Sequence, residues 1–208
     1  GRSPFDEPVH DLRVICRTHS LDLWIVTPES SPVKNLQSLH GARVSIGTRS
    51  GYTSTISSLL LSLYGHTAAG GERFYLSISQ ATEALSRGEI DVLFYLTGGM
   101  GTAISHLAES LSLRFLSIDP SVIEDLCRTE PGLSESSIFD ECGRALARTV
   151  RVETFLVAKA DLACEKASSI WEAVRFAASN SDILEPSLPR KGPQLGGLVL
   201  HEGVSRDE

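Results

Sequence analysis

The amino-acid sequence predicts an α/β fold with a mainly parallel sheet. Short apolar runs typical of strands alternate with stretches in which apolar residues recur at helical spacing. Twice, over 44–63 and over 90–107, a strand runs into a polar loop that contains glycine and then into a helix. The chain has 208 residues, 41% of them hydrophobic and 22% charged, so it is long and apolar enough to bury a full core. Strands that alternate with helices are typical of α/β proteins.

The strands follow from apolar runs and from one clear alternation of apolar and polar residues, Ala42 to Ile46. The predicted strands are 12–16, 21–27, 42–46, 73–76, 90–96, 113–118 and 150–158. The stretch from Pro28 to Pro32 predicts a turn between the second and third strands. Residues 129–148 carry no clear pattern and are assigned to no element.

The helices follow from apolar spacing and from end signals. A short helix is predicted at Leu36 and Leu39, and the longer ones at about 56–63, 79–87, 102–110, 121–128 and 167–179. The expected signals are a buried face of Ile56, Leu59, Leu60 and Leu63, an N-cap at Ser79, and helix ends at Gly65 and Gly88. Asp119 and Pro120 open the helix at 121. The stretch after 179, with three prolines, predicts extended wrapping.

The charge balance excludes one broad class of function. There are 19 Lys and Arg residues against 26 Asp and Glu residues, a net charge of −7. A nucleic-acid-binding protein is expected to carry a basic footprint, and none is present. The longest candidate for a membrane-spanning run, Leu23 to Val26, is far too short. The first residues lack the apolar segment of a signal peptide, which leaves a cytoplasmic protein and a processed or excised piece as alternatives.

Catalytic and metal-binding patterns are absent from the sequence. The six histidines are scattered without metal-ligand spacing, and neither a G-x-S-x-G elbow nor a nucleophile–base pair occurs. The four cysteines include no C-x-x-C pair; free thiols are the expected state, and a bond between Cys127 and Cys142 stays open. The sequence therefore predicts a protein that is not an enzyme, with no cofactor and no metal site.

The two loops between strand and helix are the candidate ligand site. Ligands of open α/β sheets bind outside the carboxyl ends of the strands, where the first turn of the next helix favours an anion. The candidate ligand-binding residues are Thr48, Arg49, Ser50, Gly51 and Thr53 in the first loop and Tyr95, Thr97 and Gly98 at the second. Arg49 is expected to clamp a carboxylate. The alternative is that these are ordinary connections in which Ser50 or Thr53 caps the helix.

Five segments, in order, resemble the TAXI family of TRAP-transporter solute-binding proteins. These segments are L-Q-S-L-H-G-A-R-V-S-I-G from Leu36, I-D-V-L-F-Y-L-T-G from Ile90, L-R-F-L-S-I from Leu113, V-E-T-F-L-V from Val152 and L-H-E-G-V from Leu200. The chain departs from the family pattern at Met100 and Glu202, where the family has proline. The first hundred or so residues of the family have no counterpart.

The resemblance implies a type II periplasmic-binding-protein-like fold of two lobes with mainly parallel sheets, the first lobe being incomplete. It assigns 1–43 to part of the first lobe and a hinge strand, 44–150 to the second lobe, and 151–208 to the second hinge strand, a first-lobe helix and a C-terminal wrap. Hinge closure between the lobes would trap the ligand.

The resemblance also implies the function. It predicts an extracytoplasmic or periplasmic protein, its signal or anchor segment outside this chain, that captures a small carboxylate of the glutamate or 2-oxoglutarate class for a TRAP membrane component. A ligand-sensing domain of a larger membrane or regulatory protein is the alternative. No nucleic-acid partner is expected, and pairing with a second copy through an exposed sheet edge stays open.

Overall fold

The computed structural model describes residues 10–66, 71–140, 142–179, 199–201 and 204. The strands in these ranges are β1 Leu12–Pro28, β2 Arg43–Ser45, β3 Glu72–Phe74, β4 Val92–Thr97, β5 Leu113–Phe115, β6 Leu133–Phe139, β7 Ala145–Lys159 and β8 Val199–Leu200. The helices are α1 Tyr52–Leu63, α2 Ile78–Ser86, α3 Gly101–Ser110, α4 Pro120–Thr129 and α5 Cys164–Ala178, with a 3₁₀ turn at Leu36–Ser38. The predicted α/β class is confirmed.

The chain forms two compact units, one of residues 21–152 and one of residues 1–20 with 153–208. Within the larger unit the strand order is β3-β2-β4-β1-β7-β6, and β5 pairs with β1. The predicted parallel pairing is found where β2 lies between β3 and β4. By contrast, β1 runs antiparallel to β4 and to β5, and β6 runs antiparallel to β7. The assignment of 1–43, 44–150 and 151–208 to lobes stays a prediction.

The core of the larger unit lies on both faces of its sheet, because successive strand residues point to opposite sides. On β4, Phe94 belongs to a buried cluster with Ile56 and Leu60 of α1 and with residues of α4. Its neighbour Leu93 belongs to a second cluster that includes Ile104 of α3 and residues of α2. Full burial of side chains of this size contributes about 1.5–3 kcal/mol each, so this packing holds the strands and their loops in place.

The smaller unit is described for the first part of β1, the end of β7, β8 and α5. Its buried cluster contains Ile15, Cys16 and Ala167 of α5. The sequence predicted two strands over 12–27, but β1 is one continuous strand. Its polar middle stays extended because its side chains have partners on β7: Arg17 donates to the Glu153 carboxylate at 2.8 Å, and the hydroxyl groups of Thr18 and Thr154 lie 2.7 Å apart.

Two local predictions are corrected by the structure. The N-cap of α2 is Ser77 and not Ser79; its hydroxyl accepts from the Gln80 N–H, and the Gln80 side chain accepts from Ser77 in return. Leu63 is exposed, whereas Ile56 and Leu60 are buried as predicted. The predicted positions of Gly65 and Gly88 are confirmed, since both have the positive φ of a helix end.

The unassigned stretch 129–148 forms most of a β-hairpin, β6 and the first part of β7. The Asp140 carboxylate closes its turn by accepting from the N–H groups of Cys142 and Arg144 at 3.0 and 2.8 Å. These bonds lower the pKa of Asp140, those of Arg144 most. Cys127 and Cys142 are free thiols, as are Cys16 and Cys164. No helix within the described residues has the length and apolar character of a membrane span.

Candidate functional site

The first loop, residues 46–51, and the second loop, residues 98–100, leave the same edge of the sheet. They follow β2 and β4, which are adjacent and parallel, with Val44 opposite Val92 and Ser45 opposite Leu93. In such sheets ligands bind outside the carboxyl ends of the strands. The topology therefore brings together the two loops that the sequence selected.

The start of both strands is fixed by an ion pair between Arg43 and Asp91. The Asp91 carboxylate accepts from the backbone N–H of Arg43 at 2.8 Å and from its guanidinium at 2.8 and 3.1 Å. These bonds hold the pKa of Asp91 below its ordinary value. Thr27 of β1 adds a bond from its hydroxyl to the carbonyl of Asp91, 2.8 Å long. These bonds tie the start of β2 to the start of β4, at the end of the strands opposite the two loops.

Two glycines set the path of the first loop. Gly47 has φ +83°, and a Cβ there would lie 2.9 Å from the Cβ of Thr53. At Gly51, which has φ −85°, a Cβ would lie 2.8 Å from the hydroxyl oxygen of Thr48, so the Thr48 side chain would have to shift. The backbone N–H of Gly51 donates to the carbonyl of Thr48 at 3.0 Å. The loop is therefore a tight turn that requires glycine at position 47 and is closely packed at Gly51.

The N-cap of α1 is Gly51, and no side chain within the described residues caps this helix. The alternative that Ser50 or Thr53 serves as the cap is thus not what the structure has. Ser54, which is buried, instead braces the loop: its hydroxyl donates to the carbonyl of Gly51 at 2.7 Å and to that of Arg49 at 3.3 Å. The positive end of the α1 dipole consequently lies next to the loop, and its N-cap residue contributes no side-chain oxygen.

Arg49 is exposed and lies against an aromatic ring. Its guanidinium carbon is 4.3 Å from the centre of the Tyr75 ring, within the range of a cation–π interaction. Tyr75 directly follows β3, which pairs with β2, so two neighbouring strand ends bring the residues together. In the described part of the chain the Arg49 guanidinium makes no ion pair. Its N–H groups are available to an external anion.

The second loop is also built on glycines. Gly99 and Gly101 have φ of +91° and +65°, and a Cβ at Gly101 would lie 3.3 Å from the hydroxyl oxygen of Thr97. Gly98 is exposed. Tyr95 is half-buried and packs against the core cluster beneath α2 and α3. Thr97 and Gly98 thus lie at the loop itself, while Tyr95 lies two residues back along the strand.

The sequence reasoning missed Tyr75 and Ser54. Tyr75 directly follows β3, and the pairing of β2 with β3 brings it to Arg49. Ser54 lies one residue beyond Thr53, the last candidate residue that the sequence predicted for the first loop. No group of three His, Cys, Asp or Glu side chains with metal-binding geometry occurs among the described residues.

The fold and the loops define the chain as an α/β protein with a candidate anion-binding edge. Residues 1–187 match the NMT1-like family, so the chain belongs to the NMT1-like family.

Solved structures with similarity to this chain include three binding proteins. The aliphatic sulphonate binding protein SsuA of Escherichia coli has 15% identity and a TM-score of 0.43, over 80% of this chain and 49% of that protein. The arginine-, lysine-, histidine-binding protein ArtJ of Geobacillus stearothermophilus has 13% identity and a TM-score of 0.48, over 85% of this chain and 61% of that protein. An ABC transporter periplasmic binding protein of Brucella ovis, with glutathione bound, has 8% identity and a TM-score of 0.48, over 77% of this chain and 40% of that protein. The chain spans about half the length of these proteins, and family membership rests on the family match alone.

Proposed function

We propose that this chain is an extracytoplasmic solute-binding protein, or the binding domain of one, that captures a small carboxylate at the first and second loops. The single observation that carries the proposal is the guanidinium of Arg49, which lies over the Tyr75 ring beside the start of α1, where the N-cap residue is Gly51. Membership in the NMT1-like family supports a solute-binding role. The carboxylate would belong to the glutamate or 2-oxoglutarate class.

The chemistry of the site favours an anion with two oxygens. The N–H groups of a guanidinium lie in one plane and can bond both oxygens of a carboxylate at once. A helix start with no side-chain cap adds the favourable dipole. Thr48, Ser50 and Thr53 bring hydroxyl donors to the same loop, and Thr97 brings one to the neighbouring loop. These groups outweigh a distant net charge of −7 because electrostatic attraction is decided locally.

The transport system follows from the resemblance. The five segments that resemble the TAXI family support a TRAP membrane component as the partner that receives the ligand. In this proposal 44–150 forms the second lobe, 1–43 and 151–208 supply the incomplete first lobe and the two hinge strands, and closure of the two lobes encloses the ligand. A periplasmic location belongs to the same proposal.

Thermal unfolding with a panel of ligands tests the proposal. The panel contains L-glutamate and 2-oxoglutarate as carboxylates and ethanesulfonate as a sulfonate. A ligand at about 100 times its Kd adds about 2.7 kcal/mol, which raises the Tm by about 5–10 °C for a chain of this length. We expect a rise with at least one carboxylate and no rise with that carboxylate in Arg49→Ala.

Arg128→Ala is the matched control, because Arg128 is also exposed but pairs with Asp125 on α4. It should keep the ligand-induced rise. If the carboxylate-induced rise in Tm survives Arg49→Ala, Arg49 is not the residue that anchors the ligand. If only ethanesulfonate raises the Tm, the ligand is a sulfonate and not a carboxylate. If no probe raises the Tm of the folded protein, the proposal is contradicted.

A further inference from the structure

Arg49 is held at both of its ends. Its backbone carbonyl accepts a bond from the hydroxyl of the buried Ser54 at 3.3 Å. Its guanidinium carbon lies 4.3 Å from the centre of the Tyr75 ring. A long, exposed arginine side chain would otherwise sample many rotamers. The backbone bond fixes where the side chain begins, and the ring contact fixes where its charge ends.

Tyr75 lies outside the core packing that its two neighbours in the chain make. The flanking residues Phe74 and Leu76 pack against the core cluster beneath α2 and α3. Because side chains alternate along an extended chain, Tyr75 points to the opposite side, and it is 40% exposed. Its ring therefore does not fill the core as its neighbours do. The ring instead lies beneath the charged end of Arg49.

We infer that Tyr75 is a positioning residue of the proposed ligand site, which orients the guanidinium of Arg49 so that its edge faces the ligand. The inference rests on the proposed function. A guanidinium whose face is covered by an aromatic ring keeps the five N–H donors of its plane free. Those donors match the two oxygens of a carboxylate. The ring thus prepares Arg49 for two-oxygen binding before the ligand arrives, which lowers the ordering cost on binding.

The first experiment measures the orientation of Arg49 without any ligand. The Nε–H resonance of Arg49 is assigned in the NMR spectrum by its loss in Arg49→Ala. A proton over an aromatic face is shifted upfield by the ring current, so the wild type and Tyr75→Phe should show the shift and Tyr75→Leu should not. A matched control is Phe139→Leu, which removes another exposed aromatic residue, on β6, and should leave the resonance unchanged.

The second experiment measures binding of L-glutamate and 2-oxoglutarate by calorimetry. We expect Tyr75→Leu to weaken the binding of the carboxylate that binds by about 2- to 5-fold, the size of a cation–π contact at an exposed site. Tyr75→Phe should restore wild-type affinity because it keeps the ring. In the Arg49→Ala background, Tyr75→Leu should cause no further loss, since the ring acts through Arg49.

The two experiments separate the inference from the proposed function. If a carboxylate binds through Arg49 but Tyr75→Leu binds as well as the wild type, Tyr75 has no positioning role and the proposed function stands. If the upfield shift is absent in the wild type, the inference is likewise overturned. If the shift is present and lost in Tyr75→Leu while neither carboxylate binds, Tyr75 does orient Arg49, and it is the proposed function that fails.

Discussion

Replacement of Asp91 by asparagine tests whether the ion pair at the start of β2 and β4 stabilises the fold. The Asp91 carboxylate accepts three hydrogen bonds from Arg43, and the two side chains are 30% and 39% exposed. Asparagine has nearly the same shape but no charge. The substitution therefore removes the ionic part of the pair without opening a cavity.

The expected loss lies between two reference values. A hydrogen bond to a charged group contributes about 1.5–3 kcal/mol, while a fully exposed ion pair contributes about 0–1 kcal/mol. The pair is partly exposed, so its charge is screened and the lower part of the first range applies. The Arg43 guanidinium still reaches solvent after the substitution, so no buried charge is left unpaired. We expect Asp91→Asn to lower the free energy of unfolding by about 1–2 kcal/mol.

Urea unfolding monitored by circular dichroism, combined with a double-mutant cycle, measures this loss. Arg43→Gln, Asp91→Asn and the double variant should give a coupling energy of about 1 kcal/mol. The control cycle uses Arg87 and Glu83 of α2, which are 60% and 57% exposed, and should give less than about 0.5 kcal/mol. A coupling energy for Arg43 and Asp91 as small as that of the control would refute the reasoning.

The pH dependence gives an independent check with a definite sign. Because Arg43 lowers the pKa of Asp91 in the folded state, the pair stabilises the protein above the ordinary aspartate pKa of about 3.9. This contribution is lost as the pH falls through the lowered pKa. The stability difference between wild type and Asp91→Asn should therefore be constant near neutral pH and shrink below about pH 4.

Two further substitutions test the local reasoning. Tyr64→Phe removes a hydroxyl that donates to the Asp119 carboxylate at 2.8 Å and accepts from its N–H at 2.9 Å, and should cost about 1–2 kcal/mol in urea unfolding. Burial is the main cause that raises the pKa of Tyr64 to about 12. The stability that this hydroxyl adds over phenylalanine should therefore be complete below about pH 10, the ordinary tyrosine pKa, and decrease above it. Gly47→Ala combines φ +83° with a Cβ only 2.9 Å from that of Thr53, and should destabilise by about 1–3 kcal/mol; an unchanged urea midpoint in either variant would contradict its prediction.

The parts of the fold that the sequence predicted are those set by neighbouring residues. The β2–α1 and β4–α3 units are such cases, because alternation, glycine and helical spacing all lie within about twenty residues. The end of α1 at Gly65 follows from the need for positive φ, which glycine meets at no steric cost. In each case a local rule and the final structure agree.

The parts that the sequence did not predict depend on partners far along the chain. The middle of β1 is polar, so the sequence predicts two strands with a break between them. In the structure Thr18 stays extended beside Thr154, which lies 136 positions away. The β6–β7 hairpin has a mostly polar first strand, so periodicity gave no signal. Its turn depends on Asp140 bonding its own neighbours, and an Asp followed three residues later by Gly143 was the one local sign of it.

The candidate site divides in the same way. Arg49 and its loop follow from the motif, and their position beside the second loop follows from parallel pairing. Tyr75 could not be predicted, because the order of β3 beside β2 decides which strand end faces Arg49. The charged residue of the candidate site can be predicted from the polar loop. Its proposed positioning residue can be identified only once the order of the strands is known.

The fold and the proposed site can be separated by experiment because they occupy opposite ends of the same strands. Asp91 lies at the start of β4, whereas Arg49 lies beyond the end of β2. The register between the strands is also held by the core pair Val44 and Val92, so loss of the ion pair weakens the sheet without shifting the loops. Asp91→Asn should therefore lower the Tm and keep the ligand-induced rise, while Arg49→Ala should keep the Tm and lose the rise. A ligand-induced rise that disappears in Asp91→Asn would mean that the ion pair, and not the core, sets the geometry of the loops.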